Sequence, residues 1–347
     1  MTNRETTMVG VTSTAISSFM IALAAACGCD ATTAIGAEAV RVPAPPVVTI
    51  PLSAAVPKVE GTFGEKEAMG PTLQGFYQPN VDLMDRRGGR FLLACDGKAL
   101  YVAVETPLHP RYGPVARNQS PYGGLDPDEV VLDDSLEIWL VPSLSGEAET
   151  SYQVMFNTLG GYSLRKFEVK RKDFVGEYWD VKGQLSRSSV VRDCRWTIKT
   201  AIPLAALGMN APGAGLRLRV CRNYKLPFVP ARDNLGVIYY KTPASMMQVR
   251  FQQQAPVMSE PDWVGQKTDR AAVTLRNPTQ AAMKVQVAGT TVELAPGAAQ
   301  EVRIPIQSGE KNVRQAELTV TAPDGTVIHR RTARWIVTDE SPWEEVL

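Results

Sequence analysis

The chain has 347 residues, 44% hydrophobic and 21% charged, which fits a globular protein of more than one domain. Its 37 basic and 36 acidic residues leave a net charge of +1, so charge gives no reason to expect nucleic acid as a partner. The only two histidines, His109 and His329, stand far apart, which leaves little material for a histidine-rich metal centre or a Ser-His-Asp triad.

Residues 1–39 read as a leader. The apolar run "SSFMIALAAAC" (17–27) is too short to span a bilayer and suits the h-region of a secretory signal. "LAAAC" resembles a bacterial lipobox with Cys27 as the lipidated residue, although Ala24 stands where leucine is usual. Plain cleavage near Ala34–Ala37 is the alternative. The expected location is secreted or cell-envelope, with membrane attachment only through Cys27. "VPAPPVV" (42–48) reads as an extended spacer within a linker over 40–54.

Strand signals dominate the rest of the chain. "RFLLACDGKALYVAVETP" (90–107) holds two apolar runs around an Asp-Gly turn, and Leu100, Val102 and Val104 alternate with Tyr101, Ala103 and Glu105. In "VLDDSLEIWLVPS" (131–143), Leu136, Ile138 and Leu140 take one face, and Ser135, Glu137, Trp139 and Val141 the other. "SYQVMFNTLGGYSLRKFEV" predicts two strands around a turn at Asn157–Gly161. In "RWTIKTAIPLAALG" Pro203 ends a strand and Gly208 stops a single helical turn. In "GLRLRVCRNY", Leu216, Leu218 and Val220 oppose Arg217, Arg219, Cys221 and Asn223. Cys95, Cys194 and Cys221 lie in apolar strand-like segments and are expected as buried free thiols. Residues 225–268 are irregular. From Ala271 to Val337, short strands recur between Asn-Pro, Ala-Gly, Pro-Gly and Asp-Gly turns, which predicts a small immunoglobulin-like sandwich over 268–339 and a tail over 340–347.

"KVEGTF", "LYVAVE", "DDSLEIWL", "YQVMFNTLGG", "WTIKTAIPLAALG" and "RVCRNYK", in that order over about residues 55–225, resemble the family 9 carbohydrate-binding module and its DOMON-like relatives. The resemblance implies an all-β fold, an antiparallel sandwich of two sheets, placed here at 55–255. It also implies a sugar held between two tryptophans with help from a Glu, an Arg and amides. On this chain the Glu maps to Glu137, the amides to Asn157 and Asn223, and the Arg to Arg222. The pattern departs at "LDPDEVVL", which has no tryptophan before "DDS". The second aromatic is at best Trp263, far along the irregular segment, so the clamp is either missing or rebuilt from Tyr122, Trp139 or Tyr224.

Other chemistries fit less well. A glycosidase needs two carboxyl groups about 5 to 9.5 Å apart, whereas Asp133 and Glu137 on one strand face stand roughly 13 Å apart. Asp133 and Asp134, with Asp126, Asp128 and Glu129 nearby, could hold a structural calcium. Haem would need axial ligands such as His109, Met155, Met246 or Met247, and there is no C-x-x-C-H attachment signal. No cofactor beyond the calcium is expected. The expectation is a non-catalytic, secreted protein that binds glycan through Glu137, Trp139, Asn157, Arg222 and Asn223. The alternative is a structural or protein-interaction module of a bacterial surface assembly that has lost the sugar site.

Overall fold

The computed structural model describes residues 44–343, except 54, 56–57, 62–68, 79–82, 118–129, 132, 146–149, 169–175, 182–183, 214, 226–227 and 233–242. The leader with Cys27, and Tyr122, Asp126, Asp128 and Glu129, lie outside the described residues.

The first half of the chain supplies β1 (Val47–Pro51), β2 (Thr72–Gln74), β3 (Arg90–Cys95), β4 (Ala99–Pro107), β5 (Ser135–Val141), β6 (Thr150–Asn157) and β7 (Tyr162–Glu168). Then come β8 (Glu177–Tyr178), β9 (Ser186–Arg192), β10 (Arg195–Pro203), β11 (Gly215–Lys225), β12 (Phe228–Arg232), β13 (Met247–Gln252) and β14 (Val257–Ser259). The last are β15 (Arg270–Arg276), β16 (Met283–Val287), β17 (Thr290–Leu294), β18 (Ala299–Pro305), β19 (Gln307–Ser308), β20 (Val313–Thr321) and β21 (Val327–Ile336). The all-β expectation holds.

The described strands form two sheets. One has the order β17-β16-β20-β21-β1-β13-β11-β5-β6-β7-β8, and the other β18-β15-β14-β2-β3-β4-β10-β9. Two apolar cores lie between them. One gathers Ile50, Phe91, Val104, Ile138, Phe156, Trp196, Val220 and Val249; the other gathers Val273, Val285, Ile304, Leu318 and Trp335. Most ladders are antiparallel. The parallel pairs are β1 with β13, whose Ile50 and Val249 both line the first core, and β2 with β14, so the sheets are mixed.

The spacer expected over 40–54 is corrected by β1. Val47–Pro51 is buried throughout and pairs with β13 on one side and β21 on the other. Its β-branched "VVTI" run is a strand signal that the preceding prolines obscured. Residues 256–267, which fall between the two expected domains, also belong to the junction. Ser259 pairs with Thr72, and Trp263 is buried against Trp335, with ring centroids 5.9 Å apart.

Local predictions also stand. At the β3–β4 turn, Asp96 Oδ1 accepts from the Lys98 and Ala99 N–H groups, while Tyr101 Oη donates to Asp96 Oδ2. Leu204–Leu207 is a single 3-10 turn, and Gly208 ends it at φ 75°. Cys95, Cys194 and Cys221 are free, but Cys194 is exposed, because Asp193 and Cys194 form the β9–β10 turn at φ 51° and 55°.

Candidate functional site

Strand β5 lies between β6 and β11, and the two registers set three rows. Ser135 stands between Asn157 and Asn223, Glu137 between Met155 and Cys221, and Trp139 between Gln153 and Arg219. Because successive strand residues point to opposite faces, all of these share the face turned away from the sandwich core. The core side carries Leu136, Ile138 and Leu140.

Glu137 is the hub of this face. Its carboxylate is only 1% exposed and accepts three side-chain hydrogen bonds. Trp139 Nε1 and Gln153 Nε2 reach Oε2 at 2.7 and 2.9 Å, and Asn223 Nδ2 reaches Oε1 at 2.8 Å. These hydrogen bonds hold the three side chains in place. The Trp139 ring, also 1% exposed, packs against Phe167 at 5.2 Å, with Val141, Cys221 and Met246 completing an apolar patch. A short turn at Pro243–Ser245 is tied down over the neighbouring row. Arg217 donates to the Leu144 and Ala244 carbonyls, each at 2.9 Å, and Arg219 donates to Ser245 Oγ at 2.8 Å. Val130 packs on Met155.

The two aspartates before β5 diverge. Asp133 accepts from Asn157 Nδ2 at 3.0 Å and from the Arg117 N–H at 3.0 Å. Asn157 in turn holds its own turn, its Oδ1 accepting from the Gly161 N–H at 2.8 Å. Asp134 points the other way. It pairs with Arg222 at 2.8 Å and accepts from the Val115 and Lys225 N–H groups. Arg222 also donates to Thr106 Oγ1. It therefore lies on the opposite side of β11 from Asn223, because neighbours on a strand alternate.

The structure thus brings Glu137, Trp139, Gln153, Asn223 and Asn157 onto one face and places Arg222 apart from them. Asp133 and Asp134 do not converge on one point. No group of three or more His, Cys, Asp or Glu side chains able to hold a metal occurs among the described residues. Tyr224 is buried, with the Arg87 and Arg222 guanidinium groups each 4.1 Å from its ring centre. Burial is the largest cause that pushes its phenol well above the usual tyrosine range. His109 Nδ1 accepts from the Arg111 and Tyr112 N–H groups, and Met155, Met246 and Met247 are buried.

A second polar cluster was not foreseen. Glu260 is buried at the junction. It accepts from Arg331 Nη1 at 2.5 Å, Gln74 N at 2.9 Å and Trp263 Nε1 at 3.0 Å, and its Oε1 lies 3.2 Å from His329 Nε2. Burial alone would raise the Glu260 pKa, but the Arg331 charge and the His329 contact bring it down to about 2. In the sequence, "SEPDW" and "IHRRTARW" lie far apart, and only the closing of the sheets joins them.

No family model matches the chain. No curated protein matches it by sequence. Among solved structures, it is similar to a candidate carbohydrate-binding protein from Bacteroides uniformis at 12% identity and TM-score 0.44, covering 59% of this chain and 99% of that one. It is also similar to a family 9 carbohydrate-binding module from Caldicellulosiruptor kristjanssonii. In complex with glucose that module gives 14% identity and TM-score 0.40, over 60% of this chain and 97% of that one. In complex with cellotriose it gives 14% identity and TM-score 0.38, over 60% and 95%. Likeness at this level does not define a shared site.

Proposed function

We propose that this chain is a non-catalytic carbohydrate-binding protein, secreted or held in the cell envelope, that recognises glycan at the β6–β5–β11 face. One observation carries the reading: the strand registers collect an indole, a carboxylate and three amides on a single face. A sugar site draws on such a set, with a flat aromatic body and a few fixed donors and acceptors. The Glu137 hub holds Trp139, Gln153 and Asn223 in place, so little would be lost in ordering them on binding.

A specific observation favours a second reading, a structural or interaction module. The Trp139 ring is almost wholly buried, and its N–H is spent on Glu137, which leaves no bare aromatic face beside the carboxylate.

The test is binding of the chain to a broad polysaccharide panel, with added calcium or chelator, beside a folded Glu137→Gln variant. Retention that the variant loses supports glycan recognition at this face. Loss on chelation alone would show that retention needs a metal and would take it away from the Glu137 face. No retention on any glycan would favour the module reading.

A further inference from the structure

We propose that Tyr112, His109 and Trp343 form a second saccharide-contact surface, one that takes an uncharged sugar ring against exposed aromatic side chains. Among the described residues, Tyr112 is the most exposed large hydrophobic side chain, at 55%. Its ring centre lies 4.5 Å from that of His109, and the His109 ring centre lies 5.2 Å from that of Trp343. His109 and Trp343 are each partly exposed. The three rings therefore make a continuous aromatic row that reaches solvent. The inference rests on the glycan reading above, and it supplies what the Glu137 face lacks, an aromatic surface that is not buried.

The fold fixes the row. The Gly113 N–H donates to the His109 carbonyl at 2.8 Å and closes the turn that carries Tyr112; the Leu108 N–H ties that turn to the Cys194 carbonyl, also at 2.8 Å. The Arg111 and Tyr112 N–H groups donate to His109 Nδ1, which puts the proton of the neutral ring on Nε2. Trp343 comes from the segment after β21. Arg86 donates there to the Glu340 and Ser341 carbonyls at 3.0 and 2.7 Å, and the indole meets the buried Tyr224 ring at 77°, with centres 5.8 Å apart. Rings held in this way lose little freedom when a ligand binds them. The loop that carries Tyr112 runs on to Val115 and Arg117, whose N–H groups donate to Asp134 and Asp133 at the entry to β5.

The polar chemistry of the row selects an uncharged sugar. Tyr112 Oη, His109 Nε2 and Trp343 Nε1 hold no hydrogen bond among the described residues, which leaves three uncharged donors at the rims of three rings. A sugar presents C–H groups on the face of its ring and hydroxyls at the edge, the complement of such a row. The charges next to it are already matched. Arg87 Nε and Nη2 donate to Asp85 at 2.8 and 2.6 Å, and Arg86 pairs with Glu340 at 3.2 Å. Arg111, with its guanidinium 5.5 Å from the Tyr112 ring centre, adds a further donor at the border.

The test is retention of the full chain in native gels that carry neutral or uronate-bearing polysaccharides. We expect Tyr112→Ala to weaken retention on a neutral polysaccharide by about tenfold or more. Tyr112→Phe, which keeps the ring, should stay within about threefold of the parent, the worth of one hydrogen bond. Trp343→Ala, confirmed folded by circular dichroism, should weaken retention as well. Tyr178→Ala, which removes a ring on β8 that is 52% exposed, should change nothing. Retention by Tyr112→Ala equal to that of the parent overturns the proposal and leaves the glycan reading standing. A loss shared equally by Tyr178→Ala also overturns it. Retention on uronate-bearing polysaccharides alone, abolished in Arg111→Ala, overturns the assignment to an uncharged sugar. Retention on no polysaccharide overturns both this surface and the glycan reading.

Discussion

Glu137 accepts from an indole and two amides while almost wholly out of water. Glu137→Ala would leave those donors buried without their acceptor, a cost of about 1–3 kcal/mol for each unsatisfied group, less than additive. Urea denaturation should show that loss, and a smaller one for Glu137→Gln, which keeps one acceptor oxygen. At the junction, Glu260→Ala would remove the carboxylate that pairs with the buried Arg331 guanidinium, leaving it the Gln74 and Gly75 carbonyls, and cost about 3–5 kcal/mol. Two-residue alternation in the sequence was enough to put Glu137, Trp139, Gln153 and Asn223 on one face. It could not show that they bond to one another, because side-chain pairing depends on the register of three strands that are distant in sequence. The family resemblance grouped Arg222 with Asn223, although adjacent strand residues point apart.

Among the elements, the β9–β10 turn puts two non-glycine residues at positive φ. Cys194→Gly relieves one of them and should raise stability by about 0.5–1 kcal/mol, measured as an increase in the denaturation midpoint. A Cβ on Gly215, at φ +137°, would lie 2.0 Å from the Val249 carbonyl oxygen. Gly215→Ala should therefore force β11 from β13 and destabilise the protein by about 1–3 kcal/mol. Hairpins and amphipathic strands were legible because Asp-Gly turns and alternation are local signals. Strand β1 was not, because its partners, β13 and β21, lie about two hundred residues or more along the chain.

At the scale of the molecule, both sheets cross from one core to the other, and Glu260 is buried where they do. This continuity predicts one cooperative unfolding transition in calorimetry; two resolved transitions would contradict it. The Glu260 carboxyl is held below its ordinary value, so its contribution favours the folded state when ionised. That contribution is complete above about pH 4.5 and is lost as the pH falls towards about 2. Acid titration of the parent protein against Glu260→Gln should show the difference between the two shrinking over that window.

The most direct test of glycan recognition is a titration of the 15N-labelled chain with the best-retained glycan, following the Trp139 indole N–H signal assigned with Trp139→Phe. Recognition at the β6–β5–β11 face predicts that this signal and the Gln153 and Asn223 side-chain amides shift together, with one affinity. Binding that leaves all three unmoved would contradict it.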